Sequence, residues 1–272
     1  MATSTGNEGE AVFPTLLRYT RKGIRLGYTP FSMRVFVILP AAGVGTRMTP
    51  GHTSHAAPKQ FLELAGTPIL IRTLQAFAAV PEVTAMIVAV RATEMERLTA
   101  HISEHGFADR VRVVEGGDSR QESVCNALKA LECDEDDIVL VHDAVRPLIE
   151  PAVIRRVIEA VEKHSAAIVG LPALDTIKQV ERTADGAIIT ATIPREYIVQ
   201  AQTPQGFRFG LLRKAFAEAE ADGFVGTDEA SVVERAGSQV FVVPGSASNL
   251  KITQPGDLEL AEFYLAHRGN SH

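Results

Sequence analysis

The sequence predicts an α/β protein with a Rossmann-like, mostly parallel sheet, helices on both faces and a protruding β-arm at about 172–197. Three observations carry this expectation. Strand-like and helix-like segments alternate from Arg34 onward, which implies parallel strands joined by right-handed crossovers. Val35-Phe36-Val37-Ile38-Leu39 is an unbroken apolar run, as a strand buried on both faces requires. A glycine-rich loop follows that run, at the end of the sheet where open parallel sheets bind ligands.

The remaining elements follow in order. Thr67-Pro68 reads as an N-cap with proline at the first helical position, leading a helix over Ile69–Ala79. Thr84–Val90 is the next strand and Glu94–His105 the next helix. Arg112–Glu115 is a short strand, Gln121–Leu131 a helix and Ile138–Val141 a strand. Pro151 opens a helix whose apolar stripe is Ile154, Val157, Ile158 and Val161. After Ala166–Leu171 the pattern changes. Thr176–Glu181 and Ala187–Thr192 flank Asp185-Gly186, a good hairpin-turn pair. An isolated hairpin is marginal in water, so this arm is expected at a partner interface. Phe209–Ala221 and Asp228–Ala236 are helices, Gln239–Val243 a late strand and Pro255–His267 a final helix.

No repeat is present, and no linker is long enough to separate two domains. The expected organisation is an N-terminal extension over 1–33 and a single domain over 34–268. Met1–Glu10 is small and polar and reads as disordered. Val12–Leu17 is too short, and broken by Pro14, for a secretory segment. Met33 stands just before the first strand, so the extension reads as a tail or as an upstream start rather than a targeting peptide.

Composition excludes several classes. With 27 Lys and Arg against 33 Asp and Glu, the net charge of −6 argues against a nucleic-acid-binding surface. Tryptophan is absent and aromatics are 6%, which disfavours base-stacking platforms. No apolar run approaches the roughly 20 residues that span a bilayer. Cys125 and Cys133 have no histidine at metal spacing, and fit a reducing, cytoplasmic compartment better than a disulfide framework.

Four loops at the expected ligand-binding end carry unusual residues. In Pro40-Ala41-Ala42-Gly43-Val44-Gly45-Thr46-Arg47-Met48, small residues allow backbone N–H groups close to an anion, and Arg47 adds a fork of donors. Lys59 in Pro58-Lys59-Gln60 returns a second cation. A plain glycine-rich turn is the bland alternative. Met48 occupies the third-glycine position of a dinucleotide fingerprint, and the Gly-Lys-Ser/Thr of a P-loop is missing. In Gly116-Gly117-Asp118-Ser119-Arg120-Gln121-Glu122-Ser123, Asp118 or Ser119 reads as a helix cap, compatible with base recognition by the same exposed groups. In His142-Asp143-Ala144-Val145-Arg146-Pro147, Asp143 either faces a site or pairs with Arg146 to brace the loop. His142 reads as satisfied within the loop. Lys251, in Ser248–Thr253, reads by default as an edge-strand lysine pointing to water.

Taken together, Pro40–Met48, Pro58–Gln60, Gly116–Ser123, His142–Pro147, Asp175-Thr176, Gln202–Gln205, Thr227–Ser231 and Asn249–Thr253 closely resemble the 2-C-methyl-D-erythritol 4-phosphate cytidylyltransferase family. The resemblance runs from about Arg34 to Leu265. It implies transfer of CMP from CTP to 2-C-methyl-D-erythritol 4-phosphate in isoprenoid precursor synthesis, with Mg²⁺ held mainly by the CTP phosphates and no protein metal ligand assigned. It also implies a homodimer joined through the arm.

By the same resemblance, Arg47, Lys59, Arg195 and Lys251 are the catalytic cations. Pro40, Ala41, Ala42, Gly43, Gly117, Asp118 and Ser123 bind CTP. Asp143, Ala144, Arg146, Thr176, Arg195, Thr203 and Lys251 contact the acceptor. The stretch Thr49–Ala57 is longer than the family pattern. A cytidylyltransferase for ribitol 5-phosphate and a non-catalytic nucleotide-binding subunit are the alternative readings. Hydride transfer lacks its glycine spacing.

Overall fold

A computed structural model describes residues 33–43 and 59–267, the backbone alone at Lys59, and the backbone of two short strands at 19–20 and 23–24. The expected disorder of Met1–Glu10, most of the 1–33 extension, Arg47 and the 49–57 stretch lie outside the described residues. Contacts divide the chain into Met1–Met33 and Arg34–His272. In the first unit Tyr19–Thr20 pairs antiparallel with Gly23–Ile24.

The second unit is built on a seven-stranded sheet. Its strands are β1 (Val35–Pro40), β2 (Val83–Val90), β3 (Val111–Glu115), β4 (Ile138–Val141) and β5 (Ala166–Pro172). The arm is β6 (Ile177–Thr183) and β7 (Gly186–Ile193). The sheet is completed by β8 (Val199–Arg208) and β9 (Phe241–Pro244). The spatial order is β9-β5-β8-β4-β1-β2-β3. Every sheet neighbour pairs parallel except β8, which runs antiparallel to both β4 and β5.

The helices are α1 (Ile69–Ala78), α2 (Met95–Glu104), α3 (Arg120–Lys129), α4 (Pro151–His164), α5 (Phe209–Ala221), α6 (Glu229–Arg235) and α7 (Pro255–His267). Alternation along β1 sends Val35, Val37 and Leu39 to one face, where they meet Leu74 and Phe77 of α1, Leu98 of α2 and Val157 of α4. Ile38 goes to the other face with Val124 of α3, Leu212 of α5 and Val232 of α6. Both faces of the sheet are therefore dry, as the apolar run in β1 predicts. A third cluster joins Val145 and Leu148, beyond β4, to Ile252 and to Ala261 of α7. No helix among the described residues is long and apolar enough to cross a membrane.

Three expectations need correction. Thr67-Pro68 is not a cap with proline inside the helix. Glu63–Leu64 and Thr67–Pro68 pair as a tiny hairpin, and Pro68 is itself the N-cap residue. Ala65 and Gly66, both at positive φ, make the tight turn that draws Thr67 into pairing. The arm turns one residue earlier than predicted, because Thr183 pairs with Gly186 and leaves Ala184-Asp185 at the tip. The third correction is β8, which the sequence reading missed. Its polar run and Pro204 argue against a central strand. The structure places Thr203 and Pro204 in a bulge, where the register opposite β5 passes from Gln202 to Gln205.

The arm explains how β8 reaches its place. A chain leaving β5 at the ligand-binding end extends through β6 and β7 and re-enters at that same end, so the return needs no crossover helix. The bulge then delivers Thr203 to the loop after β4. Its hydroxyl accepts from the Asp143 backbone N–H at 3.1 Å and lies 3.0 Å from His142 Nδ1. His142 Nε2 is 3.1 Å from the Arg146 carbonyl. A carbonyl can only accept, so Nε2 carries the proton, and Thr203 donates to the Nδ1 lone pair. The ring is fully buried and meets Phe77 edge-on at 4.9 Å.

Burial pushes the His142 pKa from its ordinary 6.5 down to about 4. Between those values the unfolded chain binds more protons than the folded one. Stability is thus present above about pH 6.5 and lost as pH falls toward 4, by about 3 kcal/mol from this residue. Replacement His142→Asn is expected to flatten the fall in urea midpoint across that interval. A slope equal to the wild type would show that His142 is not buried neutral.

Candidate active site

Asp143 follows β4 immediately and is nearly buried, with 9% side-chain exposure. Three cations converge on it. Its Oδ1 is 3.4 Å from Arg120 Nε. Its Oδ2 is 3.0 Å from Arg146 Nε and 3.0 Å from Lys251 Nζ. Burial alone would raise the Asp143 carboxyl pKa, but the charges of Lys251, Arg120 and Arg146 outweigh it and hold the group well below the usual carboxylate range.

Each cation is positioned by a different part of the chain. Arg120 opens α3 and makes a two-pronged pair with Glu229, at 2.6 and 3.0 Å. Glu229 is almost completely buried, at 1% exposure, in the first turn of α6. Desolvation raises its pKa despite the guanidinium. The guanidinium pKa is raised in turn, because the two carboxylates outweigh its own burial. Arg146 also donates from Nη1 to the Asn249 carbonyl at 2.8 Å. Asn249 is buried and donates to the Thr203 carbonyl at 2.8 Å and to Gln202 Oε1 at 3.2 Å. Together with the Ile252 N–H bond to the Val145 carbonyl, at 2.9 Å, this fastens the Lys251 segment against the β4 loop. Lys251 is consequently not on an edge strand. It lies in an irregular segment, and Asp143 supplies its counter-charge.

A cavity of about 150 Å³ opens beside this cluster. It is lined by Pro40 to Gly43 from the glycine-rich loop, by Gly117, Asp118 and Ser123 from the turn into α3, and by Asp143, Ala144 and Lys251. An adjoining cavity of about 230 Å³ is lined by Arg146 and Thr203, and shares Arg120, Asp143 and Lys251 with the first. The two loops that shape the first cavity need small residues. A Cβ at Gly116 would come within 2.7 Å of Ala42 Cβ, and one at Gly117 within 2.3 Å of Glu122 Cβ. Ser119 caps α3 through a reciprocal pair with Glu122. The Ser123 hydroxyl is 2.9 Å from the Ser119 carbonyl and accepts from the Gly117 N–H at 3.1 Å, so it shapes the turn from within. Gln60 also lines the cavity and donates to the Ala41 carbonyl at 2.8 Å, which ties the short turn Lys59–Phe61 to the glycine-rich loop.

The structure thus brings together Pro40 to Gly43, Gly117, Asp118, Ser123, Asp143, Ala144, Arg146, Thr203 and Lys251. Thr176 and Arg195 stand on the arm, outside the lining of both cavities, where Arg195 donates to the Leu174 carbonyl. Arg47 and the Lys59 side chain lie outside the described residues. The sequence reading quoted Arg120 and Glu229 only inside longer motifs and gave them no role. Nothing in one sequence links a helix-opening arginine to a glutamate 109 positions later.

Comparison with known proteins agrees with this geometry. Residues 35–267 match the family described as IspD, 2-C-methyl-D-erythritol 4-phosphate cytidylyltransferase. A protein of that name from Acidobacterium capsulatum is 77% identical over 239 residues, covering 88% of this chain and 100% of the relative. One from Solibacter usitatus is 52% identical, covering 86% and 96%. A crystal structure of 4-diphosphocytidyl-2C-methyl-D-erythritol synthase from Anaerococcus prevotii superposes with a TM-score of 0.73 at 28% identity, covering 87% of this chain and 100% of that one. The Francisella tularensis cytidylyltransferase gives 0.70 at 34% identity, covering 85% and 99%. With this match running from the first strand of the sheet to the last helix, the chain belongs to the 2-C-methyl-D-erythritol 4-phosphate cytidylyltransferase family.

Proposed function

We propose that this chain transfers CMP from CTP to 2-C-methyl-D-erythritol 4-phosphate, giving 4-diphosphocytidyl-2-C-methyl-D-erythritol and pyrophosphate in the non-mevalonate route to isoprenoid precursors. The observation that carries the reading is the convergence of Arg120, Arg146 and Lys251 beside a glycine-lined cavity, in a chain of this family. Within the cluster itself, three cations face the two carboxylates of Asp143 and Glu229.

The chemistry is an in-line displacement. A phosphate oxygen of the acceptor attacks the α-phosphorus of CTP, a P–O bond forms, and the bond to the β-phosphate breaks with its electron pair leaving on pyrophosphate. The nucleophile is already anionic near neutral pH, so no general base is needed. The barrier is the approach of two anions, and the protein lowers it by positioning and charge neutralisation. In this reading Pro40, Ala41, Ala42 and Gly43 cradle the nucleotide with Gly117, Asp118 and Ser123. Arg47, Lys59 and Lys251 neutralise the phosphates. Asp143, Ala144, Arg146 and Thr203 shape the acceptor side. Arg120, clamped by Glu229, holds Asp143 in place.

Mg²⁺ fits as a phosphate-bound ion. Both Asp143 oxygens already face cations, so this carboxylate is committed to the cation cluster. The ion, when bound, screens charge on the phosphates, with water as its other ligands.

The arm supports the homodimer in this reading. Leu174, Ile188, Ile189 and Tyr197 are between 60 and 83% exposed. Ile188 and Ile189 are neighbours on β7 and so point to opposite faces, and a two-stranded hairpin with apolar residues exposed on both faces needs something to pack against. A second copy would also bring Thr176 and Arg195 to the acceptor side of a partner's cavity. A cytoplasmic setting accords with two unpaired cysteines, of which Cys133 has its thiol pushed up to about 12 by burial.

Pyrophosphate release from CTP with a panel of sugar and polyol phosphates tests the reaction. Turnover with 2-C-methyl-D-erythritol 4-phosphate is expected; turnover with ribitol 5-phosphate alone, or with none, would replace the assignment by one of the alternative readings. Lys59→Ala is expected to lower kcat by about 10²- to 10³-fold. Unchanged kcat with only a raised KM for CTP would remove Lys59 from the transition state. Ile188→Asp with Ile189→Asp is expected to shift the sedimentation coefficient from dimer to monomer, and a dimer that persists would place the interface elsewhere.

A further inference from the structure

α2 closes on His101-Ile102-Ser103-Glu104, with His105 as its C-cap residue and the His101 ring 6.1 Å from Phe61. We propose that His101, Glu104 and His105 form a binding site for a divalent transition ion of the zinc class, separate from the nucleotide cavity. Residues spaced i, i+3 and i+4 share one helix face, the spacing by which helices chelate zinc through two histidines. Here the geometry is already assembled. One nitrogen from each imidazole and one carboxylate oxygen lie within 4.8 Å of one another. An ion at about 2.1 Å from each needs only a small side-chain adjustment from there.

Two further details point to a ligand. His101 Nδ1 is buried and has no hydrogen-bond partner among the described residues. Glu104 Oε2 lies 3.7 Å from it, beyond hydrogen-bond length. A buried polar nitrogen left in that state is unfavourable, and a coordinated cation satisfies it. His105 is oriented from behind. Its Nδ1 lies 2.8 Å from the His101 carbonyl, which can only accept, so Nδ1 carries the proton and Nε2 keeps the lone pair. A backbone carbonyl on the non-ligating nitrogen is the usual support of a metal-bound imidazole.

The surroundings agree. The His101 ring lies 6.1 Å from the Phe61 ring, and the Arg97 guanidinium, whose charge is paired with Glu94 at 3.9 Å, covers Phe61 at 4.3 Å, so one wall is filled. Glu104 is on the open side, which leaves room for a water as a fourth ligand. The site sits at the C-terminal end of α2, where the helix dipole favours a cation. Two imidazoles select zinc, copper, nickel or cobalt over Mg²⁺, so this position does not compete for the ion of the proposed reaction. None of the three residues lines either cavity of the active site.

The test is calorimetric titration of the full, tag-free, chelator-stripped chain with Zn²⁺ in the presence of Mg²⁺, with Co²⁺ absorption as a second readout. One saturable equivalent is expected, with the visible bands of nitrogen-ligated Co²⁺. Affinity is expected to fall at least about tenfold in His101→Ala and separately in His105→Ala, since loss of an outer partner alone costs that much. Thermal unfolding is expected to rise with Zn²⁺ in the wild type and not in either variant. CTP turnover with Mg²⁺ is expected unchanged in both, which separates failure here from failure of the cytidylyl-transfer reading. No saturable binding, or binding equally strong in both variants, means an adventitious ion only and overturns the site.

Discussion

One buried carboxylate organises the working end of this molecule. Asp143 is too deeply placed to be stable alone, because an unpaired ionised group is costly to desolvate. It is held ionised by three cations that come from three different segments of the chain. Reciprocally, it lets Arg120, Arg146 and Lys251 sit close together, against their mutual repulsion, before any phosphate arrives. Removing Asp143 from such a cluster would leave three like charges sharing one corner. Three cations are therefore assembled beside the cavity in advance, and binding an anion against them demands little reorganisation.

The supporting contacts form an outer layer with the same logic. Glu229 aims Arg120 from the first turn of α6, which packs on α5. Asn249 latches the Lys251 segment to β8. Gln205, itself buried, donates to the Asp228 carboxylate and accepts from the Ala230 N–H, so β8 also fixes the start of α6 and with it Glu229. The antiparallel strand is thus more than a filler between β4 and β5. Its side chains reach the β4 loop, the Lys251 segment and α6, and a parallel strand entering from the other end would carry those residues away from the site.

The arm belongs to the same design. It occupies the connection between β5 and β8, at the end of the sheet where the cavities open. Its apolar residues remain exposed in the single chain, while the arm residues of the family motif stay apart from the cavities.

Local pattern alone determined much of this protein. The apolar run of β1, the alternation of strands and helices, the stripe of α4 and the glycine-rich loops were all legible, because burial on one face or two leaves a periodic trace along the chain. The loops around Ala41 and Gly117 were legible for the same local reason, since tight turns and close backbone approach demand small residues at fixed spacing, and Asp143 stood out because a carboxylate directly after a buried strand is costly to leave unpaired. Tertiary structure decided the rest. It alone revealed β8, whose polar residues are satisfied by distant partners and so look like a loop in sequence. It alone turned Lys251 from an apparent surface lysine into a counter-ion of Asp143, and joined Arg120 to Glu229. Electrostatic pairing acts through space between segments about a hundred residues apart and leaves no periodicity behind, so it appears only when the chain is folded.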